Sequence, residues 1–165
     1  MKYIILFIFA VSFLLVGGLF AMSFFSKEQV IPAVNYSKSD SDRPRLSASE
    51  TETDFGSISV KQEVSKDFVV KNTGNKPLQI SKINSSCNCT TVKYIYEGKE
   101  SAEFGMHNPG RDVFEIAPGS EAVMKVIYRP FVMPVYGFVS REAYAETNDP
   151  DFPRLILKVK TTVNK

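Results

Sequence analysis

Residues 68–83 read FVVKNTGNKPLQISKI, and this stretch indicates the class of fold. The apolar run 68–70 ends at Asn72-Thr73-Gly74-Asn75, whose residue types are typical of a tight turn. A second run with apolar residues at intervals, 78–83, follows directly. Two short runs rich in β-branched and aromatic residues on either side of a turn signal predict neighbouring β-strands.

The same arrangement recurs through the rest of the chain. Further short runs of β-branched and aromatic residues lie at 92–96, 122–128, 136–139 and 155–159, separated by Gly, Pro, Asn and Asp. No window after residue 25 carries the long amphipathic stripe of a helix. Alternation with turn signals about every 10–12 residues predicts an all-β fold, an antiparallel β-sandwich over residues 54–165.

Residues 97–118 interrupt this rhythm with a stretch rich in Gly, Pro and charge. We predict a long loop, or a loop that carries a small hairpin, inserted between two strands. Loops of this length in a compact domain are often functional. The segment holds the chain's single histidine, His107, which we interpret as an exposed loop residue.

The N-terminal segment is strongly apolar. Residues 3–25 contain no charge and no proline, and 23 residues in a helix would span a hydrocarbon core of about 30 Å. The run is longer than the core of a cleaved signal peptide, and Ala21-Met22-Ser23 fits a cleavage site only loosely. We therefore predict one transmembrane helix at 1–25, an anchor or uncleaved signal, with Lys2 on the cytoplasmic side.

Residues 26–53 are rich in Ser, Pro and mixed charges, which predicts a flexible linker between anchor and domain. One of the 20 basic residues, Lys2, precedes the apolar run and all 18 acidic ones follow it, so the remainder has a net charge of +1. Lys and Arg are interspersed with Asp and Glu. This composition argues against nucleic acid as a partner, because such binding needs clustered positive charge.

The two cysteines lie in Cys87-Asn88-Cys89, and several interpretations compete. On an extended strand they share a face about 6.5–7 Å apart, so a disulfide requires a bend or bulge. Two thiolates could bind Cu(I), with Met106 and His107 as added ligands if the inserted loop folds back. The interpretation that we favour is that both are small apolar residues packed in the core as thiols.

A search for catalytic or cofactor motifs gives no candidate residues. One histidine cannot form a His cluster, and the chain has no Gly-x-Ser-x-Gly, Gly-x-Gly-x-x-Gly or Walker sequence. The sequence therefore predicts neither an enzyme nor a bound cofactor.

Several short motifs, taken together and in order, resemble a known family. They are Phe55-Gly56, Phe68 with Asn72-Thr73-Gly74, Leu78-x-Ile80, Ser86-Cys87-x-Cys89-Thr90, Pro118-Gly119 and Gly137. The order resembles the bacterial domain of unknown function fifteen-seventy-three (DUF1573) over roughly residues 54–163. The resemblance implies an immunoglobulin-like sandwich, related to the ASH and major sperm protein domains and common in envelope proteins of the Bacteroidetes. It implies no established activity.

Two positions depart from the family pattern. Asn88 stands where the family usually has Gly; Asn also tolerates left-handed backbone, which hints at a bend between the cysteines. The insertion at 97–118 is longer than the usual connection.

The function that these features favour is a non-catalytic binding or structural module. We expect a single-pass inner-membrane protein whose domain faces the periplasm and contacts envelope proteins or cell-wall components through sheet edges and the long loop. The alternative is thiol or Cu(I) handling by Cys87 and Cys89. The sequence does not indicate an oligomeric state.

Overall fold

The computed structural model describes residues 3, 7, 11–13 and 31–165. Residues 31–165 form one compact unit built almost entirely from strands, with one 3₁₀ turn at Pro130–Val132. The strands are β1 (Leu46–Ala48), β2 (Glu52–Ser59), β3 (Val64–Asn72), β4 (Leu78–Ser85), β5 (Thr90–Tyr96), β6 (Lys99–Glu100), β7 (Phe104–Gly105), β8 (Phe114–Ile116), β9 (Glu121–Tyr128), β10 (Gly137–Thr147) and β11 (Arg154–Asn164).

Two sheets pack face to face. Sheet A has the order β1-β3-β9-β5-β6, with β7 also paired to β5, and sheet B has the order β2-β11-β10-β4-β8. The all-β sandwich predicted from the alternation is confirmed. The antiparallel prediction holds for every pair except β2 with β11, which run parallel, so sheet B is mixed.

The core follows the period-2 pattern of the sequence. In β5, Val92 and Tyr94 are buried, and in β9 the buried residues alternate through Ala122, Met124 and Val126. Side chains of successive residues point to opposite faces of a strand, so each strand contributes every second residue to the space between the sheets. The two inner faces form a single hydrophobic cluster.

The inserted segment is ordered by pairing with both sheets. In its first part, β6 pairs with β5 as a hairpin, and β7 also pairs with β5, nearer the start of that strand. Its last part, β8, pairs with β4 in sheet B and buries Ile116 completely. The prediction of a loop that carries a small hairpin is thus confirmed, and the segment also closes one side of the sandwich.

The folded unit begins earlier than the predicted boundary at residue 54. β1 and the start of β2 lie within the predicted linker 26–53, and the chain is part of the compact unit from Ile31 onward. The Val34 N–H donates to Gln79 Oε1 at 2.8 Å. The prediction of a flexible linker is therefore wrong for residues 31–53.

A buried ion pair explains why this polar segment is ordered. Arg43 is 6% exposed, and its guanidinium contacts Asp149 at 3.5 Å and Asp151 at 2.7 Å. Asp149 also accepts a hydrogen bond from the Leu46 N–H at 2.7 Å. The composition of the segment is that of a linker, but distant carboxylates in the β10–β11 loop bind it.

The predicted anchor at 1–25 lies outside the described residues, apart from residues 3, 7 and 11–13, which are helical. Among the residues that the structure describes, no helix has the length and hydropathy needed to cross a membrane.

The Asn72 side chain holds the turn between β3 and β4. It is fully buried; its Nδ2 donates to the carbonyls of Lys76 (2.8 Å) and Ile116 (2.9 Å). Its Oδ1 accepts from the N–H groups of Arg45 (3.3 Å) and Gly74 (3.0 Å). All four hydrogen-bonding positions of one amide are used, and they join segments from both sheets.

Gly74 is required by close approach of the backbone. A Cβ atom at this position would lie 2.3 Å from the Arg43 carbonyl oxygen and 2.6 Å from the Arg45 nitrogen. Both neighbours are backbone atoms that cannot rotate away, so the turn accepts only glycine here.

We predict that Asn72→Ala lowers the free energy of unfolding by about 2–4 kcal/mol, because it leaves several buried backbone groups unpaired. Gly74→Ala should cost a similar amount, because the Arg43–Arg45 backbone must move. Chemical denaturation of the full-length protein, followed by circular dichroism, measures both effects.

Asn75→Ala is the matched control, since Asn75 lies in the same turn and its side chain is exposed, with only an exposed contact to Asp42. It should change the free energy of unfolding by less than about 0.5 kcal/mol. Equal losses in Asn72→Ala and Asn75→Ala would contradict the role assigned to Asn72.

Candidate functional site

The two cysteines form a disulfide at one end of the sandwich. β4 ends at Ser85 and β5 begins at Thr90, so residues 86–89 carry the chain from sheet B to sheet A. The turn brings the Cα atoms of Cys87 and Cys89 to 5.3 Å, and the sulfurs are bonded. We call the end that contains this turn, the loop 129–136 and the start of β10 the disulfide end.

Polar contacts fix the turn from the inside. The buried Ser85 hydroxyl lies 2.9 Å from the Cys87 carbonyl and 2.6 Å from the Thr90 carbonyl. The Cys89 carbonyl accepts the Arg129 N–H at 2.7 Å, which ties the turn to the end of β9. The turn is therefore bound to both sheets.

The prediction for the cysteines is partly wrong. Both side chains are buried in the core cluster as expected, Cys87 at 8% and Cys89 at 1% exposure. They are not thiols, because the chain does not stay extended through residue 89 and the bend closes the Cα distance. No residue of the turn 86–89 has a positive φ, so Asn88 does not adopt a left-handed backbone. The bend therefore arises without it.

The metal prediction for Cys87 and Cys89 is not tested by this geometry. Both sulfurs are engaged in the disulfide, so ligation would first require reduction. Among the described residues no group of three or more His, Cys, Asp or Glu side chains is arranged to hold a metal ion. His107 is exposed in the inserted loop, as predicted.

Two buried polar groups lie close together at the disulfide end. Tyr128 pairs with Thr90 in the register of β9 and β5, and it is 1% exposed. Burial raises the pKa of the Tyr128 hydroxyl, and the nearby Arg141 guanidinium opposes that rise. Within residues 31–165 neither the hydroxyl nor Arg141 Nε has a hydrogen-bond partner of good geometry. Both are buried polar atoms without a partner, an arrangement that is rare in folded proteins.

Arg129 clamps the inserted segment to the disulfide end. It forms a two-pronged pair with Glu103, at 2.7 and 3.2 Å, and its Nε contacts Glu63 at 2.5 Å. Thr91 adds a hydrogen bond to Glu103 at 2.8 Å. The hydrogen bond from Arg129 lowers the pKa of Glu103 below its usual value, and the same bond raises the pKa of Arg129.

An exposed apolar loop follows Arg129 and Pro130. All eight residues from 131 to 138 (FVMPVYGF) are exposed, and every one except Gly137 is apolar or aromatic. Phe138 is 67% exposed and Tyr136 is 53% exposed. Single exposed apolar residues are ordinary, but a contiguous run of this size is typical of an interaction site.

The edge of β10 next to this loop is unpaired. The N–H and C=O of Glu142 both point toward Ser86, with contacts of 3.0 and 2.8 Å. Alternate residues present their backbone groups to the same side, so Phe138 and Ser140 face this side too. Pairing with β4 begins only at Ala143, and within residues 31–165 no backbone group pairs with Phe138 or Ser140 on this side.

Sequence analysis missed the apolar loop and the open edge. The run Tyr136–Val139 was interpreted as a strand, which is correct for β10, but the exposed residues before it were not singled out. The signal is present: FVMP and VYGF are bounded by prolines at 130 and 134, which disfavour a central strand.

Comparison by sequence finds one family. A family model described as "Protein of unknown function (DUF1573)" matches residues 46–132, slightly more than half of the chain. The match starts earlier than the resemblance suggested and ends before β10 and β11. Comparison with curated proteins gives no match.

Similar solved structures support the fold. A protein of unknown function from Porphyromonas gingivalis W83 has a TM-score of 0.57 and 18% identity; 74% of this chain matches 48% of that one. The human CEP192 ASH/PapD-like domain 7 has a TM-score of 0.50 and 10% identity, covering 84% of this chain and 98% of that one. A family 123 glycoside hydrolase from Clostridium perfringens has a TM-score of 0.51 and 8% identity, covering 68% and 22%.

At these identities the matches show the fold alone, an immunoglobulin-like sandwich similar in fold to an ASH/PapD-like domain. The chain spans about half the length of the Porphyromonas gingivalis protein.

We predict that the disulfide adds only modest stability. It closes a loop of three residues, so replacing both cysteines by Ala should lower the free energy of unfolding by about 1–2 kcal/mol. Replacement by Ser should cost about 1–3 kcal/mol more, because the hydroxyl at the fully buried Cys89 position needs a partner. Thermal melting of the full-length variants measures the difference.

Intact mass is the companion measurement for the same prediction. The oxidised chain should be two mass units lighter than the reduced one. Rapid labelling of two thiols in the untreated folded protein would contradict the disulfide.

We predict that the Arg129–Glu103 pair makes stability depend on pH. The pKa of Glu103 is lowered in the folded chain, so ionised Glu103 adds to the free energy of unfolding at pH values above its ordinary pKa of 4.5. This stabilisation is lost as the pH falls through the lowered pKa of the folded chain. The difference in unfolding free energy between wild type and Glu103→Gln should therefore be largest near neutral pH and shrink in acid. Glu121→Gln, at an exposed position, should show no such trend. A difference that stays constant with pH would contradict the assignment.

Proposed function

Since the chain belongs to the DUF1573 family, described as proteins of unknown function, we propose that its sandwich is a non-catalytic binding module that holds a partner protein at the disulfide end. In this proposal the apolar run 3–25 anchors the chain in the inner membrane, and the domain faces the periplasm. The uncharged run and Lys2 support the topology. A disulfide is consistent with an oxidising compartment.

The observation that carries the proposal is the exposed apolar loop 131–138. Its side chains offer apolar area that the domain does not bury, and removing such area from water is the main favourable contribution to association. Phe131, Tyr136 and Phe138 are aromatic, and aromatic residues are enriched among those that dominate binding energy.

The neighbouring β10 edge indicates how a partner would bind. Within residues 31–165 no backbone group pairs with Phe138 or Ser140 on this side; the Ser140 carbonyl accepts only the side chain of its neighbour Arg141, at 3.2 Å. An extended segment can add to such an edge as a further strand. Backbone hydrogen bonds to the β10 edge would orient the partner's strand, and contacts with Phe138 would select which side chains that strand carries. An envelope protein fits this surface better than a cell-wall glycan, because a glycan has no peptide groups to continue the ladder.

Thiol or Cu(I) handling by Cys87 and Cys89 is the second candidate, and the disulfide is the observation that favours it. Reduction by a thiol donor would deliver two electrons and two protons and release two thiols one residue apart. Two thiolates suit a soft ion such as Cu(I). The burial of both sulfurs ranks this candidate below the binding module, because exchange requires access to a sulfur.

We predict that a photo-reactive amino acid at Tyr136, introduced into the full-length chain in its host cells, cross-links one reproducible envelope protein identifiable by mass spectrometry. Phe138→Asp should reduce the cross-linked yield about tenfold, since it places a charge where an apolar contact forms. Ser140→Pro should also reduce it, because proline removes an edge N–H while edge strands tolerate the residue.

Phe152→Asp is the matched control, because Phe152 is 54% exposed and lies in the β10–β11 loop at the other end of β10. It should leave the yield unchanged. Failure to recover any reproducible partner, or equal losses with Phe152→Asp, would contradict the proposal. Retention of the partner in cells together with micromolar Cu(I) binding by the reduced chain would show both functions.

A further inference from the structure

A groove of about 540 Å³ lies on the outer face of sheet B, between β4, β10, the start of β11 and the inserted segment. Three cationic side chains line it: Lys82, Arg111 and Arg154. Among the lining residues that the structure describes, Glu146 is the one that is acidic, and its carboxylate pairs with Lys82 at 2.7 Å. The groove therefore carries excess positive charge in a chain whose charges are otherwise mixed.

Lys82 has a backbone conformation that glycine adopts more easily. Its φ is +49°, in the left-handed region, which costs a non-glycine residue about 1–2 kcal/mol. It lies in a bulge where two residues of β4, Lys82 and Ile83, oppose Ala145 alone. Bulges redirect side chains and are frequent beside functional sites.

The fold does not need lysine at this position. The Lys82 side chain is 70% exposed and its partner Glu146 is 53% exposed, so the ion pair adds little stability. A bulge of this kind is usually occupied by glycine. A charged side chain at a strained position that the fold does not require is a candidate for a role outside folding.

Arg111 is positioned by a backbone contact of the inserted segment. The Gly110 N–H donates to the Ile83 carbonyl at 2.8 Å, which fixes the loop against β4. A Cβ at Gly110 would lie 3.2 Å from the Phe104 ring, so the close approach favours glycine. The insertion thus forms one wall of the groove and brings a guanidinium to it.

Neither guanidinium is neutralised by the domain. Within residues 31–165 no carboxylate lies within 4 Å of Arg111 or Arg154, and Arg154 instead sits 4.3 Å above the Tyr144 ring. The side-chain oxygen Oδ1 of Asn84 already accepts the Ser85 N–H at 2.8 Å, which leaves the Asn84 side-chain NH₂ as a donor. The groove therefore offers mainly donors to a ligand.

We propose that this groove binds an acidic peptide segment through its carboxylates. Guanidinium groups bind carboxylates with two parallel hydrogen bonds, and an ammonium adds a third cation. A sugar ring would need an exposed aromatic face, and Arg154 covers the ring of Tyr144. The site lies about 20 Å along β10 from Phe138, so it is separate from the surface used in the proposed function.

The test measures binding of a fluorescently labelled (Glu-Gly)₃ peptide to the full-length protein by anisotropy at low salt. We expect a Kd on the order of 0.1–1 mM, consistent with contacts to two guanidinium groups and a weaker one to the Lys82 ammonium, which Glu146 already pairs. Arg111→Gln and Arg154→Gln should each weaken binding about two- to fivefold. Lys71→Gln, which removes an exposed positive charge on sheet A, is the matched control and should leave Kd unchanged.

Lys82→Gly separates a binding role from a structural one. It should keep or raise the thermal midpoint, because glycine relieves the left-handed backbone, and still weaken peptide binding two- to fivefold. A lower midpoint with unchanged binding would overturn the role of Lys82.

Equal binding of (Gln-Gly)₃, equal weakening by Lys71→Gln, or inorganic phosphate competing at the same concentration as the peptide would overturn the proposal. The photo-cross-linking result at Tyr136 has no bearing on these outcomes.

Discussion

The buried amide of Asn72 is the contact on which the rest of the domain depends. Its two donors and two acceptors bind the segment before β1, the β3–β4 turn and the end of β8. Because β8 belongs to sheet B and β1 to sheet A, one side chain fixes the spacing of the two sheets at this end. The Asn72 backbone also pairs with Gly119 and Ser120, so the entry to β9 is set by the same residue. An apolar residue could fill the space, but it would leave these backbone groups unpaired in the core.

Sequence analysis located the strands, whose pattern depends on neighbouring residues. It failed for the features that depend on contacts between residues far apart in the chain. Alternation located the main strands, because burial on one face of a strand requires period 2. The boundary at 54 was wrong because Arg43 is held by Asp149 and Asp151, more than 100 positions away. Composition reports the polar character of the segment and carries no information about such partners. The parallel pairing of β2 with β11 has the same origin, since both edges of a strand look alike in sequence.

The candidate site was predicted less completely than the fold. The cysteine pair was found, but its bonded state depends on where the chain turns after Ser85. On an extended strand the two Cα atoms would lie about 6.5–7 Å apart, too far for easy closure. The apolar loop 131–138 escaped notice because apolar residues in a sequence are expected inside. Its exposure becomes visible only in the folded domain, where no element of residues 31–165 covers it. The groove cations, likewise, come from the insertion and from strands β4 and β11, and only the fold brings them together.

The open edge of β10 is a consequence of where the disulfide turn lies. β4 pairs with β10 as far as Ser85, and the turn at 86–89 then takes the chain across to sheet A. If β4 continued straight, its next residues would pair with Phe138 and Ser140 and close the edge. The bond between Cys87 and Cys89 lies within this turn, and the Arg129 N–H donates to the Cys89 carbonyl and joins the turn to the end of β9. Among residues 31–165, the part of β10 before Glu142 therefore has a partner strand on one side only. The disulfide therefore lies in the turn that ends β4 at Ser85, beside the exposed edge of β10 and the apolar loop.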